Sequence, residues 1–278
     1  DFLVGSPELK KKTGARIWHA DSHLEYEYGT PVEAGQVFSV GGLKIEALST
    51  PGHTLHSFSY LLYSYKEEPW MIFTGDALFA GDVGRVDFMG EARLKEMAGK
   101  LYDSIYKKIL PQGNGVILCP AHGSGSVCGG HIADRNLTTI GIEKSLNPEL
   151  DYEDKGEFIQ NTGKMMEKPP YFRQMEKHNR KGPLPLSEIS YPEALAVNQF
   201  EKEIKKDDSV ILDTRLELDF ASAHIPGSIS IWKDGLSSFA GWFMDYDKNI
   251  FIVNEGKNVQ KETELLYRLG FDRIKGYL

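Results

Sequence analysis

Short apolar runs separated by Gly, Pro and polar residues fill the first part of the chain and predict a series of β-strands. These runs are RIWHA, VFSV and LKIEALST on either side of a Gly-Gly turn, FSYLLYSY and WMIFTGD. Residues 92–110 instead place apolar side chains on one helical face, and the strand GVILCPAH follows them. Antiparallel strands followed by helices predict an α+β layered domain.

The pattern changes after residue 147 and again after residue 185. Residues 147–183 are first acidic and then basic and proline-rich, with poor periodicity, which predicts a linker or a tail that wraps the first domain. Residues 186–278 alternate helix and strand, with a predicted helix at 191–204, and indicate a small α/β domain with a parallel sheet. The predicted domains are therefore 1–183 and 186–278.

Composition and charge exclude several functional classes. The 278 residues carry a net charge of −8, which disfavours sequence-independent binding to nucleic acid or to an anionic membrane. With Cys119 and Cys128 as the only cysteines, a disulfide framework is excluded and a reducing compartment is favoured, so we expect a cytoplasmic protein. Neither end of the sequence has a polar fringe, so we expect a fragment of a longer chain.

Three candidate metal ligands each follow an apolar strand. His53 lies in a Pro-Gly turn, Asp76 follows MIFTG and His122 follows VILCPA, so the three could converge at one edge of a sheet. A single histidine in such a position is more often an ordinary hydrogen-bonded residue. Three strand-end candidates together favour a metal site.

The motifs TPGHT, FTGDALF, GDVGRVDF and CPAHGSGSVCGG resemble those of the metallo-β-lactamase fold, in the branch of glyoxalase II and the persulfide dioxygenases. The resemblance implies an αββα sandwich that is truncated at its N-terminus. In that branch the first motif is H-x-H-x-D-H, and Asp1 resembles its catalytic aspartate, so both motif histidines would precede residue 1. His53 and Asp76 are then implied as two metal ligands, with the third upstream.

One departure from the branch bears on the metal. Phe2 stands where the binuclear zinc enzymes of the branch have a histidine, and a phenyl ring cannot bind a metal. The resemblance therefore implies one metal held by two histidines and one aspartate, which suits Fe(II), with Zn as the alternative. His122 is implied as a catalytic pocket residue, or as a substitute ligand in the truncated chain.

The reaction that the resemblance implies is oxidation of a low-molecular-weight thiol persulfide by O₂ to sulfite and thiol. Arg85 is a candidate for binding the thiol carrier, and a salt bridge to Asp82 or Asp87 is the alternative. Cys128 is a candidate substrate-binding thiol, and a structural free cysteine is the alternative. Cys119, inside an apolar strand, is expected to be buried and inert.

The second domain resembles rhodanese through ILDTRLELDFASAHIPGSISI. A rhodanese carries its persulfide on a cysteine after the fourth strand, where Asn254 stands in this chain. An amide is no sulfur nucleophile, so we expect an inactive domain that serves as a spacer, dimer surface or docking unit. Asp213, Arg215 and His224 are then expected to fix loops.

The sequence thus predicts an iron-dependent persulfide dioxygenase joined to an inactive rhodanese-like domain. A glyoxalase II-like zinc thioester hydrolase and a non-catalytic sulfur-carrier or scaffold protein are the alternatives. The expected partners are a small thiol persulfide, O₂, a sulfurtransferase domain beyond Leu278 and further copies of the chain.

Overall fold

The computed structural model of the chain describes residues 2–20, 26–135, 137–152, 154–256 and 258–278. Its α-helices are α1 (Ser6–Thr13), α2 (Leu94–Ser104), α3 (Ile140–Leu146), α4 (Lys155–Thr162), α5 (Phe172–Lys181), α6 (Val197–Ile204), α7 (Glu217–Ser222), α8 (Leu236–Phe243) and α9 (Gln260–Arg268). Its strands are β1 (Trp18–His19), β2 (Thr30–Pro31), β3 (Val37–Val40), β4 (Leu43–Ser49), β5 (Phe58–Tyr63), β6 (Pro69–Gly75), β7 (Leu78–Phe79), β8 (Asp82–Val83), β9 (Ile117–Pro120), β10 (Thr138–Thr139), β11 (Glu193–Ala194), β12 (Ser209–Asp213), β13 (Ile229–Ser230), β14 (Asn249–Val253) and β15 (Ile274–Tyr277).

The described residues form two compact units. The larger unit contains residues 18–20 and Gly29–Lys168, and the smaller unit contains residues 2–17, Tyr26–Tyr28 and Pro169–Leu278. The division after Lys168 differs from the predicted boundary at 183, because side chains of α5 pack into the core of the smaller unit. The predicted tail also contains α4 and α5, each with a single buried side chain, which explains its poor periodicity.

The larger unit is built on a six-stranded sheet in the order β10-β9-β6-β5-β4-β3. All neighbours are antiparallel except β6 and β9, which run parallel. Gly75 at the end of β6 pairs with Pro120 at the end of β9, and Ser49 at the end of β4 pairs with Phe58 at the start of β5. The segments that follow β4, β6 and β9 therefore leave the same edge of the sheet.

Helix α2 packs on one face of this sheet, as its apolar periodicity predicts. The predicted core residues are all fully or almost fully buried and pack with α4 and with the sheet; they are Leu94, Met97, Leu101, Ile105 and Ile109. The helix continues beyond Ser104 as a π-helical turn over Ile105–Ile109 and ends in a short 3₁₀ turn that contains Pro111.

The smaller unit contains the predicted parallel sheet, in the order β11-β15-β14-β12-β13. One helical prediction is partly wrong: α6 begins only at Val197, and the preceding residues Glu193–Ala194 form a strand that pairs with Gly276 and Tyr277. A long-range pairing of two residues has no periodicity that could show it in the sequence. No helix among the described residues is long and apolar enough to cross a membrane.

Candidate metal centre

His53, Asp76 and His122 lie at the edge of the sheet where β4, β6 and β9 end. The Nε2 atom of His53 is 3.6 Å from Asp76 Oδ2, and the Nε2 atom of His122 is 3.2 Å from Asp76 Oδ1. The structure thus brings together the three residues that the sequence suggested could converge. The Asp76 carboxylate lies between the two imidazoles.

The imidazole of His53 is held in one orientation. Its Nδ1 atom is 2.9 Å from the carbonyl oxygen of Arg85, which can only accept a hydrogen bond, so Nδ1 carries the proton. The unprotonated Nε2 atom then faces Asp76. The ring of Phe88 packs edge-on against the imidazole, with ring centroids 4.8 Å apart.

Cys128 brings a sulfur donor to the same place. The ligand atoms of His53, Asp76 and Cys128 all lie within 4.8 Å of one another, and the cysteine is buried. Its loop is fixed by hydrogen bonds from Arg85 N to Cys128 O (3.0 Å) and from His131 N to the Asp82 carboxylate (2.6 Å). The glycine-rich sequence thus places a thiol beside the histidine and the aspartate.

Burial and charge set the protonation of these groups. Burial lowers the pKa of His53 more than the neighbouring Asp76 raises it, so the imidazole is neutral and its Nε2 lone pair is available. Burial would raise the pKa of Asp76, but the contact with His122 Nε2 brings it below its usual value. Burial and the Asp76 charge raise the pKa of the Cys128 thiol to about 12.

These residues fit a metal ion. Asp76 Oδ1 is buried, and within the described residues no hydrogen bond of good geometry reaches it apart from the 3.2 Å contact with His122 Nε2, so it can still accept a cation. A transition-metal ion would be held by His53 Nε2 and the Asp76 carboxylate, with the Cys128 sulfur within 4.8 Å of both. The donor types suit Fe(II) or Zn.

Arg85 does not face this site with its side chain. Its guanidinium is almost completely buried and forms a two-point ion pair with Asp87, with Nε–Oδ1 and Nη2–Oδ2 distances of 2.7 Å. Its remaining N–H groups donate to main-chain carbonyls. The structure therefore corrects the prediction that Arg85 binds the thiol carrier and supports the alternative, a salt bridge to Asp87.

The other predicted site residues lie elsewhere or outside the described part. Asp1 is outside the described residues. Phe2 belongs to the smaller unit and is 39% exposed. Cys119, expected to be buried, is partly exposed on β9, where it pairs with Phe73.

The loop after β14 has Asn254 at its start. The Nδ2 atom of Asn254 donates to Asn258 O (2.8 Å) and to Glu262 Oε1 (3.3 Å). Arg215 forms a two-point ion pair with Asp213, with Nε–Oδ1 and Nη2–Oδ2 distances of 2.9 and 2.6 Å. Asn254 and Arg215 are thus both held by hydrogen bonds to residues of the smaller unit.

His224 lies on the loop that precedes β13. Its Nδ1 atom donates to Phe220 O at 2.9 Å, and its ring stacks on that of Phe220 with centroids 4.1 Å apart. His224 therefore has the local, loop-fixing contacts that the sequence predicts for it.

Sequence reasoning missed two residues that shape the site. A Cβ atom at Gly84 would lie 1.8 Å from Asp76 O and 3.3 Å from His53 Nδ1, so this position accepts only glycine. Phe88 contacts the His53 ring, as described above. Both lie in GDVGRVDF, and the glycine before the arginine was the signal available in the sequence.

Comparison with known proteins finds similar proteins for both parts of the chain. The sequence pattern of the rhodanese-like domain family matches residues 196–277. A crystal structure of a metallo-β-lactamase from Staphylococcus aureus subsp. aureus COL superposes with a TM-score of 0.83 at 28% identity, over 100% of this chain and 80% of that one.

Two curated relatives match part of this chain in sequence. The hydroxyacylglutathione hydrolase GloC of Haemophilus influenzae is 28% identical over 173 residues, which cover 54% of this chain and 71% of that protein. The mitochondrial persulfide dioxygenase ETHE1 of Bos taurus is 29% identical over 119 residues, covering 43% of this chain and 40% of its own length. This chain thus spans less than half of the cattle protein.

Proposed function

We propose that this chain, which joins a metallo-β-lactamase fold to a rhodanese-like domain, oxidises a low-molecular-weight thiol persulfide with O₂ to sulfite and thiol. The predicted fold is confirmed for both parts, and the relatives of the larger unit include metallo-β-lactamase-fold enzymes. The oxidation itself is the proposal.

The observation that carries it is the cluster of donors from His53, Asp76 and Cys128 within 4.8 Å of one another. A neutral imidazole and a carboxylate are two of the three ligands of the facial triad that suits ferrous iron. By resemblance, Phe2 stands where binuclear enzymes have a metal-binding histidine, which supports a mononuclear centre.

The overall reaction balances as RSSH + O₂ + H₂O → RSH + H₂SO₃. The S–S bond breaks, the outer sulfur is oxidised, O₂ is reduced, and the inner sulfur leaves as a thiol. A ferrous ion at this site would supply open coordination positions for sulfur and O₂ and the electron transfer between them.

The chain's own residues would bind the metal and orient the persulfide. His53 Nε2 and the Asp76 carboxylate would hold the metal, and His122 steadies Asp76 through the 3.2 Å contact to Oδ1. Cys128 lines the substrate position as a neutral thiol, because its pKa is about 12, and it can donate a weak S–H hydrogen bond to the persulfide. Burial of His53 and Cys128 limits the access of water to the reacting sulfur.

A zinc thioester hydrolase is the second candidate. The similarity to a hydroxyacylglutathione hydrolase over 71% of that protein favours it. The donor set suits Zn as well as Fe(II), so metal identity separates the two functions.

The rhodanese-like domain is proposed to be inactive in sulfur transfer. Asn254 replaces the expected nucleophile, and its Nδ2 atom is engaged with Asn258 and Glu262. Its roles as spacer, dimer surface or docking unit, and the homo-oligomeric state, stay predictions.

The test is to load the purified chain anaerobically with Fe(II) or with Zn²⁺ and to offer each form two kinds of substrate. Glutathione persulfide and coenzyme A persulfide test oxygen consumption and sulfite formation, and S-lactoylglutathione tests hydrolysis. We expect oxygen uptake with the iron form. Zinc-dependent hydrolysis without oxygen uptake would establish the second candidate, and failure to bind either metal would favour a scaffold role.

The variants His53→Gln and Asp76→Asn should abolish metal binding and oxygen uptake together. The matched control is His131→Gln, since His131 is exposed and its main-chain N–H, not its side chain, binds Asp82. Retention of full activity in either ligand variant would contradict the assignment.

A further inference from the structure

We propose that the buried Arg85–Asp87 ion pair is the positioning device of the candidate metal centre, and that it fixes His53 and the Cys128 loop through main-chain hydrogen bonds. The inference rests on the proposed function in one respect, the assignment of His53 as a metal ligand. It gives a role to an arginine that touches neither donor with its side chain.

The guanidinium of Arg85 uses every donor it has. Nε and one Nη2 proton bind the two oxygens of Asp87, and the other Nη2 proton binds Met166 O at 2.8 Å. The two Nη1 protons bind Val127 O at 3.1 Å and Glu167 O at 3.2 Å. A guanidinium has five N–H groups, so this one connects three chain segments and leaves no donor for a substrate.

The main chain of the same residue connects the two donors. Arg85 O accepts the hydrogen bond from His53 Nδ1, and Arg85 N donates to Cys128 O at 3.0 Å. Val127, which the guanidinium binds, is the residue before Cys128. A shift of the main chain at Arg85 would therefore move the partner of the imidazole and the anchor of the thiol loop together.

Regular secondary structure does not hold this region. Residues 84–87 and 163–168 are neither helix nor strand. Asp87 instead connects them, because its Oδ2 accepts from Met166 N at 3.1 Å and its carbonyl oxygen accepts from Lys168 Nζ at 2.9 Å. The ion pair thus replaces the sheet hydrogen bonds that end at β8.

If the ion pair had only a structural role, a different result would be expected. Its loss would lower the unfolding temperature of the protein but would leave the proton position on the His53 ring unchanged in the molecules that remain folded. A positioning pair fixes that proton, since the Arg85 carbonyl selects the Nδ1–H tautomer.

The test compares two double variants of the full chain. Arg85→Met/Asp87→Leu removes both charges together, which avoids leaving one of them buried without a partner. The control is Asp213→Leu/Arg215→Met in the smaller unit, where an aspartate and an arginine with the same spacing form the same two-point pair. Circular dichroism and urea unfolding establish that each variant is folded.

Two measurements are made on the folded proteins. One is the affinity for Co²⁺, followed through its visible absorption. The other is the pair of ¹⁵N chemical shifts of the His53 ring in metal-free, mildly alkaline solution, assigned by comparison with His53→Gln. The ring shifts need no metal, so they remain decisive even if the chain binds no Co²⁺ and the proposed function fails.

We expect the Arg85→Met/Asp87→Leu variant to bind Co²⁺ about 10–100-fold more weakly, as is typical when the partner of a ligating histidine is lost. Its His53 ring should no longer show a single Nδ1–H tautomer. The control variant should stay within about twofold of the parent affinity. A folded variant with parent-like ring shifts and parent-like affinity would overturn the inference.

A second variant covers the case in which the double variant does not fold. Arg85→Lys keeps the charge next to Asp87 but cannot supply the five planar donors. It should show the same change in His53 ring shifts, to a smaller extent, and weaker Co²⁺ binding. Ring shifts identical to those of the parent in folded Arg85→Lys would assign the pair a structural role only.

Discussion

At the scale of single residues, the candidate ligand His53 is prepared before any metal binds. The Arg85 carbonyl accepts a hydrogen bond from His53 Nδ1–H, and burial lowers the pKa of the imidazole, so the Nε2 lone pair stays available at neutral pH. The pKa of Asp76 is lowered below its usual value, so this carboxylate stays ionised at neutral pH. The site therefore presents a neutral nitrogen and one negative charge to an incoming cation, with little proton release.

Gly84 lies close to both Asp76 and His53. Replacing it with alanine would put a methyl group 1.8 Å from Asp76 O, so the chain must move. We expect Gly84→Ala to cost about 1–3 kcal/mol in the free energy of unfolding and to weaken Co²⁺ binding. Urea unfolding and cobalt titration check both effects.

Gly115→Ala is the matched control for Gly84→Ala, since an added Cβ at Gly115 meets nothing within 4 Å. It should change the free energy of unfolding by no more than about 0.5 kcal/mol. Equal effects of the two substitutions would show that crowding at Gly84 does not shape the site.

Asp87 should give the protein a pH-dependent stability. Burial alone would raise the pKa of Asp87, but hydrogen bonds from Arg85 and from Met166 N lower it below the usual value. A lowered pKa in the folded state contributes stability above the unfolded-state pKa of about 3.9, and this stability is lost as the pH falls further. The stability difference between the parent and Asp87→Asn should therefore be largest near neutral pH.

Urea unfolding at a series of pH values checks this. The free-energy difference between the parent and Asp87→Asn should shrink as the pH falls below about 4. A difference that is constant from neutral to acidic pH would mean that the charge of Asp87 contributes nothing.

At the scale of elements, helix α2 supports the turn that carries His53. Gly52 has a φ of 150°, and a Cβ atom there would lie 2.5 Å from the Cα atom of Leu101 on α2. The side chain of Ser104, at the end of α2, donates to Pro51 O at 2.7 Å. A glycine is therefore required at position 52 both by the backbone conformation of the turn and by the close approach of helix α2.

Ser104→Ala tests this support, because it leaves the Pro51 carbonyl without its donor. We expect a loss of about 1–3 kcal/mol in the free energy of unfolding, and weaker binding of Co²⁺ because the His53 turn loosens. Ser145→Ala is the control, since Ser145 is exposed and donates to Gly141 O within its own helix, α3. An effect at Ser145 as large as at Ser104 would contradict the role of the α2 contact.

The success of sequence-based prediction differs between elements for physical reasons. The apolar residues predicted for one face of the helical segment, from Leu94 to Ile109, are all buried, since they repeat with the period of a helix. Strand β11 could not be predicted, because two residues owe their conformation to β15, more than eighty positions away. The role of Arg85 was also hidden, since its carbonyl partners at Val127, Met166 and Glu167 are distant in sequence.

At the scale of the whole molecule, the cysteine thiols are unevenly distributed between the two domains. Both cysteines, Cys119 and Cys128, lie in the larger unit, and the rhodanese-like domain has none. Asn254 takes the place of the nucleophile, and Glu262, 5% exposed, lies 3.3 Å from its Nδ2 atom. A carboxylate there would repel a thiolate or a persulfide anion. Both Asn254 and Glu262 therefore make this loop unsuited to sulfur transfer.

Restoring the nucleophile should therefore not restore a reactive thiol. In Asn254→Cys the Glu262 carboxylate should raise the pKa of the introduced thiol, whereas in Asn254→Cys/Glu262→Gln this repulsion is removed. Each pKa unit changes the thiolate fraction about tenfold, so the double variant should react with iodoacetamide at neutral pH roughly ten times faster. The parent chain gives the background from Cys119 and Cys128. Equal rates in the two variants would show that the loop lost only its cysteine, and thiosulfate sulfurtransferase activity in Asn254→Cys alone would confirm that result.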